Sequence, residues 1–351
     1  MRIAQIAPLI ESVPPKLYGG TERVVAYLTE ALIDLGHDVT LFASGDSRTR
    51  ARLISTVPRA LRLNPVAIPQ LYTLTMIERV RQLAPEFDIL HFHEVDFLHF
   101  PVFRSQRNRT VTTFHGRLDL PDLHLLAQTF PDMPVVSISH AQRTPLPGLG
   151  WIGTVYHGLP RDLLALSTEP KGYLAFLGRI SPEKGPDTAI RIARRAGLPL
   201  RIAAKVDRVD QPYFDEIIRP LLKEPGIEFI GEIGEAEKAE FLGGAVALLF
   251  PIDWPEPFGL VMIEAMACGT PVVAFRRGSV PEILEDGVTG FLVENDKDAV
   301  DCLDRISMLD RRVIRREFER RFTAERMARD YVRLYRQQLQ ECASSSEEIA
   351  A

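Results

Sequence analysis

The sequence predicts an α/β protein made of two Rossmann-like parallel sheets. Three observations lead there. Short apolar strands alternate with amphipathic helices along most of the chain. The alternation restarts after a stretch at 158–172 that has little periodicity, and 351 residues exceed what one core ordinarily holds.

In the first half, strands fall near Arg2–Ala7, Asp38–Ala43, Ile89–Phe92, Thr110–Phe114, Val135–Ile138 and Thr154–Tyr156. Helices fill most gaps, including Glu22–Leu35 and Leu71–Leu83. Gly158–Gly172 holds Pro160 and Pro170 and reads as the linker. Strands resume near Tyr173–Leu177, Leu200–Ala204, Glu228–Ile230, Val246–Phe250 and Val272–Phe275, and the alternation runs on through Phe291. Beyond Asp296 the chain becomes helical and arginine-rich, ending in a long helix at about Ala324–Gln340. The expected organisation is a first domain over 1–160, a linker over 161–172, a second domain over 173–322, a helix over 323–343 and a frayed polar tail over 344–351.

The net charge of −5 is small, and Lys and Arg interleave with acids, which argues against nucleic acid as a partner. Cys268, Cys302 and Cys342 are odd in number and far apart, without paired metal spacing. They read as thiols of a reducing compartment, with the cytoplasm expected. No run approaches the roughly 18 apolar residues that span a bilayer, and Arg2–Pro8 is too short for a signal-peptide core. Arg104, Arg107 and Arg109 form a modest basic cluster, either a solvated turn or a peripheral contact with the inner face of a membrane.

The most informative stretch is PEPFGLVMIEAMACGTPVV, Pro255 to Val273. Pro257 and Gly259 break the chain after Val246–Phe250, and Leu260–Cys268 reads as a helix closed by Gly269 and Pro271. Backbone N–H groups near Phe258, Gly259 and Leu260 then face outward, where an anion can bind. Glu256 lies at the helix mouth and Glu264 on its body. At about 1.5 Å per residue the carboxyls come toward ~12 Å apart, beyond the roughly 5 to 9.5 Å of glycosidase pairs. They hold two parts of one long ligand, or they are a cap and a solvated helical residue.

GRISPEKG, Gly178 to Gly185, follows a strand and precedes the amphipathic helix Asp187–Ala196. Arg179 offers a planar fork to phosphate oxygens and Lys184 a mobile point charge. Such cations suit a diphosphate leaving group without a metal; the alternative is a pair of surface charges beside a turn. Asp296-Lys297-Asp298 matches a short metal-binding pattern but lies at a helix start, where Asp is a common cap.

In the first half, Tyr18-Gly19-Gly20-Thr21-Glu22-Arg23 sets a glycine pair before a helix, with Thr21 as a candidate cap. It is either a ligand approach or a plain turn, and it does not match the G-x-G-x-x-G of nicotinamide sites. His115 follows a strand, where α/β sheets bind ligands, or it is a structural histidine. His91, His93 and Glu94 form a second strand-end cluster without a marked third metal ligand. Ser139-His140 and His157-Gly158 are further loop candidates.

On GRISPEKG, EPFGLVMIEAMACGTPVV with its Glu-x7-Glu pattern, GGTER and SVPEILEDGVTGFLV, the chain resembles, nearly end to end, the retaining glycosyltransferases of family 4. The resemblance implies the GT-B architecture, two Rossmann-like domains facing across a cleft, with the last helix packing back on the first domain. It implies transfer of a sugar from a nucleoside diphosphate sugar, UDP-glucose by commonness, to a saccharide, lipid-linked or small-molecule hydroxyl acceptor, with no cofactor and no metal. Arg179 and Lys184 then bind the diphosphate, Glu264 the ribose, Glu256 the transferred sugar, and His115 orients that sugar. Ile233 falls where the family holds the base, Lys205 adds positive charge, and Gly19, Gly20, Phe258, Gly259 and Leu260 bring backbone to the donor. Glu22, His93, Glu94, Ser139 and His140 are the acceptor-side candidates. The chain has His157-Gly158 where many members carry Asn-Gly. A sugar-nucleotide epimerase, an inverting transferase and a sugar-binding protein without turnover remain the competing readings.

Overall fold

The computed structural model describes the whole chain except Leu17, Tyr18, Leu63, Val95 and Ala351 and the side chains beyond residue 340. It divides into two compact units, Met1–Pro160 with Ala324–Ala351, and Arg161–Thr323.

The first unit is a sheet of β1 (Arg2–Ile6), β2 (Asp38–Phe42), β3 (Arg52–Ile54), β4 (Ile89–His93), β5 (Thr110–Thr113), β6 (Pro134–Ser137) and β7 (Gly150–Thr154). Its spatial order is β3-β2-β1-β4-β5-β6-β7, and every pairing is parallel. Helices α1 (Gly20–Asp34), α2 (Pro69–Leu83), α3 (His99–Phe103), α4 (Leu123–Thr129) and α5 (His140–Arg143) connect the strands. Consecutive residues of β2 point to opposite faces: Phe42 packs with Met76, Ile77 and Val80 of α2, and Leu41 with Val25 and Ala26 of α1. Burial on both faces is why these strands read as continuous apolar runs.

The second unit contains β8 (Tyr173–Arg179), β9 (Leu200–Lys205), β10 (Ile227–Gly231), β11 (Ala245–Phe250), β12 (Val272–Phe275) and β13 (Gly290–Val293), in the parallel order β10-β9-β8-β11-β12-β13. Its helices are α6 (Pro186–Ala196), α7 (Gln211–Tyr213), α8 (Arg219–Leu221), α9 (Glu235–Gly243), α10 (Leu260–Ala267), α11 (Val280–Ile283), α12 (Asp296–Leu303) and α13 (Arg311–Arg321). Ala189, Ile190, Ile192 and Ala193 of α6 join Ala299, Cys302 and Leu303 of α12 in one core over β8, β9 and β11.

Both sheets reverse their order beside the first strand, between β1 and β4 and between β8 and β11. Doubly wound sheets bind ligands at the carboxyl ends of strands at such a switch point.

The last helix, α14 (Ala324–Ala350), belongs to the first unit. Tyr331 and Tyr335 are buried in it, Ala324 N donates to Leu159 O at 2.8 Å, and Arg326 Nη2 donates to the carbonyls of Tyr156 and His157 at 2.7 and 2.9 Å. The helix continues to Ala350, through residues read as a polar tail that include the good helix formers Glu347 and Glu348.

Several local expectations change. The strand read at Thr154–Tyr156 lies at Gly150–Thr154, because Gly150 and Gly153 hide its alternation. The stretch 161–172 is tied to the second unit: Arg315 donates to the carbonyls of Arg161 and Leu164, Arg311 Nε to that of Ser167, and Lys171 N to Gly244 O. Helix α1 begins at Gly20 with Gly19 as its cap, so Thr21 does not cap it. Asn295, not Asp296, caps α12 by accepting from Lys297 N and Asp298 N. Arg104 and Arg107 share the single carboxylate of Asp132, and Arg109 donates to the carbonyls of Ala84 and Phe87, so these side chains are tied into the fold. Among the described residues no helix is long and apolar enough to cross a membrane.

Candidate active site

In the second unit the loops after β8 and β11, the two strands at the switch point, are fastened together where Asp253 N donates to Glu183 O at 2.9 Å. Gly185 is left-handed (φ 67°), and a Cβ there would sit 2.3 Å from Pro251 O, so only glycine lets the loops meet. This brings Lys184 onto Glu256: Lys184 Nζ donates to Glu256 Oε2 at 2.5 Å. Trp254 Nε1 donates to the same oxygen at 2.9 Å, and the Lys184 ammonium stands 4.6 Å over the indole ring. A second backbone supports Glu256 from below. Ser279 N donates to Glu256 O at 2.9 Å, and Gly278 (φ 51°) lies so close that a Cβ would be 2.4 Å from Glu256 N.

Arg179, at the end of β8, ion-pairs with Glu183 and approaches Asp210 at 3.4 Å and Asp207 at 3.9 Å. Lys205 pairs with Asp207 at 2.8 Å, so its charge is already matched. Glu264 is 3 % exposed; Oε1 accepts from Lys238 Nζ of α9 at 2.6 Å, while Oε2 is buried without a partner among the described residues. Gly259 caps α10, whose first turn leaves N–H groups unpaired by the helix itself. The Phe258 ring is in the core, 6.2 Å from that of Phe322, so only its backbone can serve a ligand. Half-buried Ile233 lies between β10 and α9. A cavity of about 400 Å³ opens beside these loops, sharing Pro182 and Gly185 with them; Arg191 on its wall pairs with Asp187 and Asp296.

In the first unit, His93 and His115 meet at the ends of β4 and β5, Nδ1 to Nε2, at 2.9 Å. His93 Nε2 donates to Gln5 Oε1 at 2.6 Å, and His115 stacks on His157 at 5.2 Å. Desolvation holds His115 down at about 3 and His91, His93 and His157 well below the ordinary imidazole value, so all four are neutral. Glu94 Oε2 accepts from His115 N at 2.7 Å and Gly116 N at 2.9 Å; burial pushes this carboxyl up, against the pull of those two bonds.

Three of the acceptor-side candidates are engaged within the first unit. Fully buried His93 has both ring nitrogens engaged, Glu94 clamps the His115 loop, and Ser139 is the cap of α5, accepting from Gln142 N at 3.0 Å. His140 is exposed on α5. Glu22 is buried, its carboxyl pushed up by desolvation with neighbouring Glu11 adding to the rise. Gly19 is forced by packing, since a Cβ would meet Pro15 Cβ at 2.8 Å; Gly20 opens α1, and Tyr18 lies outside the described residues. Sequence reasoning missed Trp254, Lys238, Gly278 and Gln5. Trp254 stands one residue before the quoted motif and Lys238 on an ordinary helix, and no spacing marks their partners. Among the described residues no group of three His, Cys, Asp or Glu could hold a metal ion.

Residues 165–320 match the family model described as glycosyl transferases group 1, and residues 18–151 match that described as Glycosyltransferase Family 4. A D-inositol 3-phosphate glycosyltransferase of Actinosynnema mirum is 37% identical over 151 residues, 38% of this chain and 36% of that protein. The Mycolicibacterium smegmatis protein of the same name is 37% identical over 157 residues, 43% of this chain and 35% of that one. The chain thus spans about a third of the length of these curated relatives. Among solved structures, AviGT4, a glycosyltransferase involved in avilamycin A biosynthesis, has a TM-score of 0.73 at 25% identity, covering 97% of this chain and 98% of that one. Anabaena HepE in complex with UDP and glucose has a TM-score of 0.70 at 19% identity, covering 98% and 100%, a likeness of fold.

Proposed function

We propose, for a chain that belongs to glycosyltransferase family 4 and has the GT-B fold, that it is a retaining hexosyltransferase using UDP-glucose and a hydroxyl acceptor, without metal or cofactor. The observation that carries this reading is the Lys184–Glu256 pair at the mouth of α10, closed by Trp254. A cation stored against a carboxylate can exchange that anion for a phosphate, which costs less than holding a bare buried charge. On donor binding Lys184 turns to the diphosphate, Glu256 is released to accept sugar hydroxyls, and Arg179 trades its carboxylates for phosphate oxygens. The open Oε2 of Glu264 accepts a ribose hydroxyl.

The anomeric C–O bond to the β-phosphate then breaks while the acceptor oxygen bonds to the same face of the sugar. The acceptor proton passes to the departing phosphate oxygen, and Arg179, Lys184 and the first N–H groups of α10 stabilise its charge. These cations do the work a metal does in other transferases. The donor choice is supported by the UDP and glucose bound to the Anabaena neighbour, and a small polar acceptor by the curated relatives' name. The cysteines without pair spacing support a cytoplasmic location.

The test is turnover with UDP-glucose, GDP-mannose and UDP-N-acetylglucosamine against a panel of hydroxyl acceptors, with and without EDTA, and NMR assignment of the product. Release of UDP unaffected by EDTA, with an α-linked product, is expected. A β-linked product from an α-linked donor contradicts retention, and background turnover with every donor contradicts the enzyme reading.

A further inference from the structure

We propose that Gln5 and His93 are positioning residues that hold His115 in the tautomer protonated on Nε2, leaving Nδ1 a bare acceptor for a substrate hydroxyl. This rests on the transferase reading above and adds to it a demand on the ligand: a hydrogen-bond donor at one position.

Gln5 lies on β1 at the switch point and is fully buried. Its Nε2 faces the Tyr335 hydroxyl at 3.3 Å and His91 Nδ1 at 3.4 Å, and its Oε1 faces His93 Nε2 at 2.6 Å. An amide oxygen only accepts, so His93 carries its proton on Nε2. Burial keeps both histidines neutral, with His115 down at about 3, so each ring has one proton. His93 Nδ1 is therefore an acceptor, and His115 Nε2, 2.9 Å away, must donate to it.

That leaves His115 Nδ1 with a lone pair. The atom is buried and has no hydrogen-bond partner among the described residues. Native interiors rarely leave such an atom unmatched, and a ligand hydroxyl matches it. The ring cannot readily turn to escape: Glu94 grips the His115 and Gly116 amides, and His157 stacks on the imidazole face. Tyr335 and His91, joined at 2.7 Å, hold the far side of Gln5 and so anchor the relay to α14.

The experiment is a long-range 1H–15N correlation spectrum of the full chain labelled on histidine, with the His115 signals assigned by loss in His115→Asn. The expected result is a protonated Nε2 and a bare Nδ1 for His115. His93→Leu removes the acceptor, and the same spectrum is expected to lose this single tautomer, with turnover falling about tenfold. A wild-type spectrum with the proton on Nδ1 overturns the proposal, because it means the Gln5 amide sits the other way. An unchanged His115 tautomer in folded His93→Leu overturns it as well. If that variant does not fold, the wild-type spectrum alone decides. The spectrum needs neither donor nor turnover, so its outcome is separate from that of the transferase reading.

Discussion

Lys184 and Glu256, 72 residues apart in sequence, share a hydrogen bond of 2.5 Å whose acceptor oxygen also takes the indole N–H of Trp254. The indole thus does two things: it holds the carboxylate, and it offers its face to the ammonium. Trp254→Phe keeps a ring face and loses the N–H, so turnover is expected to fall about tenfold. Trp254→Leu loses both and is expected to fall several-fold further. Steady-state kinetics on the two variants check this; equal activity of wild type and Leu variant rejects a role for Trp254.

Glu264 depends on Lys238 in the same way. The pair is 3 % and 14 % exposed, so Lys238→Met leaves a buried carboxylate alone. Stability is expected to drop by about 3 kcal/mol, and Lys238→Met with Glu264→Gln is expected to recover much of it while donor binding stays impaired. Urea unfolding of Lys238→Met, Glu264→Gln and the double variant completes a double-mutant cycle that measures the coupling.

Acid should unfold the first unit early. His91, His93, His115 and His157 have folded values below the unfolded imidazole value of about 6.5. Between about 6.5 and those values, about 3 for His115, the unfolded chain binds more protons. Stability is therefore full above about 6.5 and falls with pH, by up to about 1.4 kcal/mol per pH unit for each histidine. Glu22 and Glu94 have raised values and act with the opposite sign, gaining stability as pH falls through them, but they are fewer. A lower urea midpoint at pH 5.5 than at pH 7.5 is expected, and an equal or higher one contradicts the burial of neutral histidines.

The fold was largely legible because parallel strands buried on both faces leave long apolar runs, as in β8 and β11, and α6 shows its buried stripe in sequence. Strand β3 escaped because exposed Arg52 and half-buried Leu53 and Ile54 are too few to carry a period. The loops bearing Arg179, Lys184, Glu256 and Glu264 were legible because local geometry and charge type are written within a few residues. What each side chain touches was not. Lys238 meets Glu264 across 26 residues, and Asp207 and Asp210 reach Arg179 from the loop after β9, so only the folded sheet brings these charges together. His93 read as an acceptor-side candidate at its strand end, and its bonds to Gln5 and His115, from strands distant in sequence, were not legible there.

In the proposed mechanism Arg179 and Lys184 receive the diphosphate as the sugar leaves. Isothermal titration of UDP, together with turnover of UDP-glucose, on Arg179→Ala/Lys184→Ala tests it most directly. With each charge-assisted bond contributing about 1.5 to 3 kcal/mol, both quantities are expected to fall by about a hundredfold or more in a folded variant. Affinity and turnover equal to those of the unaltered chain mean that these two cations do not hold the leaving group.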